Sequence, residues 1–260
     1  MAMDGSTRLI ESGEDVLLYM NERKSWIVKV EPERKFHSHR GIVDLSELIG
    51  KPYGYEVRTT LGATLKAMPA DYLDHLERIA RRTQVIYPKD MAYIALMGNI
   101  RSGSVVLECG TGSGALTSYL AGLVRPNGKV VTYEIREEFQ ANARKILERL
   151  GLMDSVEMKL KDITGGVDEK SLDAVVLDMA TPWLVIGTVF GALRTGGRVV
   201  SFSPTINQIE KTVDEMQKTG FVSIKTVELI MRTYKVKVNE TRPDMIMVGH
   251  TGYIVSARKC

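Results

Sequence analysis

Cysteine is scarce in this chain of 260 residues, which has only Cys109 and Cys260. They form no Cys-x-x-Cys pair and have no metal-ligand spacing, so a disulfide scaffold and a cysteine-held metal are excluded and a reducing compartment is expected. No run of about 18 apolar residues and no signal-peptide pattern occurs, which predicts a soluble, cytoplasmic protein without a membrane partner. Charge of one sign is also lacking. The 35 Lys and Arg against 32 Asp and Glu leave a net charge of +3, which suits a nucleic-acid partner without demanding one. Repeats and low-complexity segments are absent, and no Gly-Lys-Ser or Gly-Lys-Thr follows a glycine loop, which disfavours ATP hydrolysis. With 44% hydrophobic residues, the chain has material for one large domain and a small one.

Residues 1–67 carry short β-prone runs, Asp15 to Tyr19, Ser25 to Val30 and Tyr55 to Thr59, separated by turn signals. They predict a small β-rich domain. A helical connection is expected over 68–103, with one helix from Ala70 to Arg82 and a second opened by Pro88. From 104 to 260, strand and helix signals alternate, which predicts an α/β Rossmann-like domain with a mostly parallel, doubly wound sheet. The last two strands, near Val222 to Ile230 and Gly252 to Ala257, have no helix signal between them and predict an antiparallel hairpin at the sheet edge.

The most informative segment is Glu108-Cys-Gly-Thr-Gly-Ser-Gly114, between the apolar run Val105 to Leu107 and a helix over Ala115 to Val124. Gly110, Gly112 and Gly114 permit a sharp turn, and a helix start leaves N–H groups free for a ligand. Three further strands end in acids: Lys129 to Tyr133 in Glu134, Val156 to Lys161 in Asp162, and Leu172 to Leu177 in Asp178. Each acid alone reads as a cap or turn residue. As a series, they should face one crevice with the glycine loop, at the carboxyl ends of parallel strands. Glu134 can accept both hydroxyls of a ribose, and Asp162 can accept a hydrogen bond from an adenine amino group. A pyrophosphate beside Glu108 would be repelled, whereas the sulfonium and ammonium of S-adenosylmethionine would be attracted. The expected cofactor is therefore S-adenosylmethionine, leaving S-adenosylhomocysteine, with NAD as the minor alternative and no metal. Thr111, Ser113 and Leu116 of the loop and helix start, with Ile135 and Ile163 beside the acids, are expected to line the same site. Cys109 is expected to be a small buried filler.

Four motifs add up to a resemblance: Arg82-Thr-Gln-Val-Ile-Tyr-Pro-Lys-Asp90, Leu107 to Gly114, Leu177-Asp-Met-Ala-Thr-Pro-Trp183 and Val248-Gly-His-Thr-Gly-Tyr253. In this order they resemble the tRNA adenine-N1 methyltransferases that modify adenine 58 of the T loop, with composition like the archaeal branch, whose members can also modify adenine 57. The resemblance implies tRNA as partner, a homotetramer, and contacts from Gln84 and Tyr87 to the methionine or adenosine end of the cofactor. It also implies that Asp178 is the catalytic residue. The family often has Asp-x-x-Asp-Pro-Trp, where this chain has Ala180-Thr181 before the Pro, so an auxiliary second acid is missing.

Adenine N1 lies on the Watson–Crick edge, so the stacked T-loop base must be extruded to be reached. Asp178 would accept from the exocyclic amino group as positive charge develops on the ring. Trp183 reads either as a stacking wall for the flipped base or as a core aromatic. Basic residues Arg34, Lys35 and Arg40, with Lys235 and Arg242, are candidate tRNA contacts; such clusters are also ordinary solvated faces. His37-x-His39 has no third ligand nearby. Two rival readings are a protein L-isoaspartate methyltransferase, which would not carry the Asp178 and His250 motifs, and a non-catalytic RNA-binding subunit, which would have lost the glycine loop.

Overall fold

The computed structural model describes residues 8–80 and 85–260, which form two compact units on either side of that gap. In the first unit, β1 (Asp15–Asn21) and β2 (Lys24–Lys29) form a hairpin whose turn is fixed by the Arg23 N–H donating to Asn21 Oδ1 at 3.0 Å. With β5 (Glu56–Arg58) and β6 (Thr64–Pro69), they form an antiparallel sheet ordered β2-β1-β6-β5. A separate pair, β3 (Lys35–Ser38) and β4 (Gly41–Asp44), leads into a turn that buries Leu45 and Leu48. Val16, Leu18, Val28, Val57, Leu65 and Ala67 share that core. Helix α1 (Tyr72–Ala80) starts at a reciprocal cap: the Asp74 N–H donates to Asp71 Oδ1 at 2.8 Å and the Asp71 N–H to Asp74 Oδ2 at 2.9 Å. It belongs to this first unit, whereas the second helix belongs to the other, so the helical stretch expected over 68–103 is divided between the two.

The second unit opens with α2 (Pro88–Met97), its proline in the first turn where no N–H is needed. Alternating elements follow: β7 (Val105–Cys109), α3 (Ala115–Val124), β8 (Lys129–Glu134), α4 (Glu137–Arg149), β9 (Val156–Leu160) and β10 (Leu172–Leu177). Then come α5 (Ile186–Ala192), β11 (Leu193–Ser203), α6 (Ile206–Thr219) and β12 (Phe221–Glu228), followed by the short pair β13 (Tyr234–Lys235) and β14 (Arg242–Pro243), and last β15 (Tyr253–Lys259). The sheet order is β12-β15-β11-β10-β7-β8-β9. Within this sheet the strands pair in parallel except at β15, which runs antiparallel to both β11 and β12. The strand pair expected at the edge is antiparallel, and its second member is inserted between β11 and β12. This is a Rossmann-like, mostly parallel sheet, and the first unit is a small antiparallel β unit that precedes it in the chain.

β10 is buried on both faces from Ala174 to Leu177, as its apolar run after Asp173 demands. Leu107, Val131, Val175, Leu177, Val199 and Val255 supply one continuous core from five adjacent strands. β11 begins earlier than expected because three extra residues bulge between its pairings with Leu172 and Ala174. Among the described residues, no helix is long and apolar enough to cross a membrane.

Candidate active site

β7 lies between β8 and β10 and runs parallel to both, so their carboxyl ends share one rim. Ligands of open parallel sheets bind at such a rim. The Gly110 N–H donates to the Tyr133 carbonyl at 3.0 Å, and the Asp178 N–H donates to the Cys109 carbonyl at 2.9 Å, so the loop is tied to both neighbours. Gly110 has φ +98°, and a Cβ there would stand 2.0 Å from the Asp178 carbonyl oxygen. Gly114 has φ +80° and precedes α3; its Cβ would stand 2.9 Å from that of Ala143 in α4. These two glycines make room for the protein itself. Gly112 differs, since the nearest protein atom to a Cβ there is 4.0 Å away.

Glu134 is nearly buried at the tip of β8 and fixes the loop. Its Oε2 accepts from the Gly112 N–H at 2.9 Å, and its Oε1 accepts from Ile135 and Arg136 N–H at 3.0 Å each. A carboxylate has about four acceptor positions, so one remains for a ribose hydroxyl. Ile135 beside it is 67% exposed, an uncovered apolar surface of the kind an adenine ring can cover. Asp162 Oδ1 accepts from the Thr164 N–H at 2.8 Å and caps a short turn; this bond holds its carboxyl below the ordinary range. Both the backbone and the side chain of Thr164 hydrogen-bond to this carboxyl, so the cap role is the one the geometry shows.

Asp178 follows β10 directly. Its side chain reaches solvent, yet it is set deep in the mass of the protein, and this desolvation, with the nearby charge of Glu134, pushes its carboxyl up to about 6. It is still mostly ionised at neutral pH and poised to take a proton.

Glu108 departs from expectation. The side chain is fully buried, Thr117 Oγ1 donates to its Oε2 at 2.6 Å, and Oε1 has no partner. Burial pushes this carboxyl up to about 8, so at pH 7 it is chiefly neutral and does not present a charge to a cationic ligand. Thr111 is likewise turned inward, its hydroxyl 2.6 Å from that of Thr132. Leu116 and Ile163 are buried, and Ser113 is half-buried. Cys109 is packed in the core, where burial raises its thiol far above the usual range. Tyr87 is exposed at the head of α2, and Gln84 lies outside the described residues. Pro182 starts a short turn, and half-buried Trp183 has the Lys211 ammonium 4.8 Å from its ring centre.

A buried ion pair escaped the sequence reading. Lys89 Nζ lies 2.8 and 3.0 Å from the oxygens of Asp90, which is fully buried, and also donates to the Leu229 carbonyl at 2.8 Å and to Thr251 Oγ1 at 2.6 Å. One ammonium thus holds both ends of the connection between β12 and β15. The sole sequence signal was Lys-Asp inside the Arg82 to Asp90 motif. His250 is structural in kind: its Nδ1 lies 2.6 Å from Glu228 Oε1 and its Nε2 3.0 Å from the Pro204 carbonyl, and the Glu228 bond raises its pKa.

The expected basic contacts fall on both units. Arg34 is paired with Glu31 at 2.8 Å, while Lys35 and Arg40 are exposed around β3. Lys235 and Arg242 face each other across β13 and β14 and are exposed. Among the described residues, no group of three His, Cys, Asp or Glu could hold a metal ion.

A parallel sheet with this glycine loop and these strand-end acids defines an S-adenosylmethionine-dependent methyltransferase. The family model for the tRNA methyltransferase complex GCD14 subunit matches residues 76–251, and the chain belongs to that family. It is 37% identical to the tRNA (adenine(57)-N(1)/adenine(58)-N(1))-methyltransferase TrmI of Methanocaldococcus jannaschii, over 93% of this chain and 94% of that protein. The structure of tRNA (m1A58) methyltransferase TrmI from Aquifex aeolicus superposes with TM-score 0.81 at 32% identity, covering 97% of this chain and 99% of the other. A SAM-dependent O-methyltransferase from Thermotoga maritima gives TM-score 0.91 at 37% identity, over 96% and 94% of the two chains.

Proposed function

We propose that the protein methylates N1 of adenine 58 in the tRNA T loop, and adenine 57 as well, in the cytoplasm where tRNA is found. The observation that carries this reading is Asp178, an accessible carboxylate with its pKa raised to about 6, on the rim it shares with the glycine loop and Glu134. The substrate comes from the likeness to the Methanocaldococcus jannaschii enzyme. When bound, S-adenosylmethionine supplies an electrophilic methyl group. Its ribose would sit on Glu134, its adenine between Ile135 and Asp162, and its methionine end by Gly112 and Tyr87. Gln84 belongs to the same proposed contacts. Glu108 serves the site from beneath, by holding Thr117 at the start of α3.

The substrate adenine is flipped out of its loop. Asp178 accepts from the exocyclic amino group and stabilises the positive charge that develops on the ring as N1 is alkylated. A carboxylate with a pKa near 6 remains ionised at neutral pH while being a stronger base than an ordinary aspartate. Trp183 forms a wall for the flipped base on the ring face not taken by Lys211. Lys35, Arg40, Lys235 and Arg242 meet phosphates; Arg34 contributes less, being already paired with Glu31.

We assign the exposed apolar residues of the connection between β12 and β15, among them Ile230, Val236, Val238, Met245 and Ile246, to contact between copies of this chain in a homotetramer. The test of the function is methyl transfer from labelled S-adenosylmethionine to unmodified tRNA, followed by mapping of the label. Label in the T loop at adenine N1 is expected; label elsewhere overturns the substrate. Failure to bind the cofactor would instead favour a non-catalytic subunit.

A further inference from the structure

At the opposite end of the strands from the active-site rim, a half-open cavity of about 350 Å³ is lined by Arg194, Arg198 and Arg258 together with Leu96, Met97 and Asn99. Arg198 on β11 and Arg258 on β15 are direct cross-strand partners. Like charges opposite each other in an antiparallel pair oppose folding. Arg194 Nε donates to Asp173 Oδ1 at 2.7 Å, and the other Asp173 oxygen accepts from the Val105 N–H at 2.8 Å, so this carboxylate is already engaged. Arg258 Nε donates to the Gly196 carbonyl at 3.2 Å, which orients its guanidinium. A Cβ on Gly196 would stand 3.2 Å from Arg258 Nη2, so glycine leaves that group its space. The Arg198 side chain makes no hydrogen bond or ion pair among the described residues. Three guanidinium groups therefore border one cavity with a single carboxylate against them.

We propose that this cavity is a nucleotide-phosphate site, separate from the methyl-transfer crevice, in which Arg198 and Arg258 hold the phosphate while Leu96 and Met97 pack against the attached sugar or base. Planar guanidinium groups bind phosphate oxygens in a two-pronged fashion, and a bound dianion turns the repulsion between the two arginines into a shared attraction. The volume is at the lower end of the range for small-ligand sites, about 300–1,000 Å³, which is room for more than a bare anion. The phosphate comes either from a free nucleotide or from an RNA strand. The site stands without the methyl-transfer reading, and only the RNA source rests on it.

The test is calorimetric titration of the full chain with uridine 5′-monophosphate and with inorganic phosphate, at low salt and with S-adenosylmethionine in excess so that the adenosine site does not interfere. Saturable binding of the nucleotide by the wild type is expected. R198Q and R258Q should each weaken it about tenfold or more, with cofactor binding and the circular dichroism spectrum retained. R198Q should melt no lower than the wild type without phosphate, and should lose the rise in Tm that phosphate gives the wild type. Absence of saturable binding in the wild type, or equal binding by wild type and both variants, overturns the proposal. Given a site lost in R198Q, a raised KM for tRNA at unchanged kcat assigns it to an RNA phosphate, and an unchanged KM assigns it to a free nucleotide.

Discussion

The carbonyl oxygen of Asp178 lies 2.0 Å from the position a Cβ on Gly110 would occupy. The loop that turns after β7 and the residue proposed to face the adenine are therefore in backbone contact, and the glycine is required by the protein before any ligand arrives. G110A must move the tip of β10 or the loop. With a left-handed residue and a backbone clash combined, the expected cost is at least about 2 kcal/mol, read from the urea midpoint, with loss of cofactor binding. Unchanged stability would mean that this packing is looser than described.

Asp178→Ala should leave S-adenosylmethionine affinity within about twofold while lowering turnover by roughly 10²–10⁴. In the wild type the active form is the ionised one. Single-turnover rates should therefore rise with pH up to about 6 and flatten above it, the pKa to which burial and Glu134 push this carboxyl. A rate profile flat from pH 5 to 8 would remove Asp178 from the proton-accepting role.

Glu108 gives a pH effect on stability. Its carboxyl lies near 8 when folded against an ordinary 4.5, so the native chain holds the proton more tightly than the unfolded chain. The stability this contributes is complete below about 4.5 and is lost as pH rises through about 8. E108Q keeps an acceptor for Thr117 and cannot ionise. Its urea midpoint should fall less than that of the wild type between pH 5 and 8; parallel curves would contradict a protonated Glu108.

Lys89→Met leaves the fully buried Asp90 without its counter-ion. Removal of one partner from such a pair costs about 3–5 kcal/mol, whereas K89M/D90L, which removes both, should recover a large part of the loss. Urea denaturation of the two variants decides it. If the double variant is no better than the single, the contacts to Leu229 and Thr251 carry the stability instead.

Met245 and Ile246 are each 87% exposed. M245D/I246D should shift the molar mass measured by light scattering toward the single chain while cofactor binding persists. An assembly that survives both charges would place the contact elsewhere.

The strands that build the site were legible because β7, β8 and β10 are apolar runs, each closed by a polar or acidic residue, a pattern that comes from burial on both faces. Which way an acid points was not legible. Glu108 and Glu134 look equivalent in the sequence, yet one is turned beneath the loop by Thr117 and the other is caught by the Gly112 N–H above it. Asp162 carried two readings, of which the structure displays the cap to Thr164, while the adenine contact belongs to the proposed function. Lys89 was missed because its partners Leu229 and Thr251 are 140 and 162 residues away, beyond anything local spacing reports. The insertion of β15 was hidden for a similar reason: periodicity shows that a strand exists but not between which neighbours it lies.

That insertion governs the order in which the fold can close. β12 has no hydrogen-bonded neighbour in the sheet other than β15, and β11 has one on that side only through β15. While residues 253–259 are not in place, β11 replaces β12 as an edge of the sheet and β12 has no partner at all, and the arginine on β11 at position 198 faces no counterpart. Unpaired edges invite association with other chains. The last strand therefore covers the apolar edge of β11 and gives β12 its one partner in the sheet.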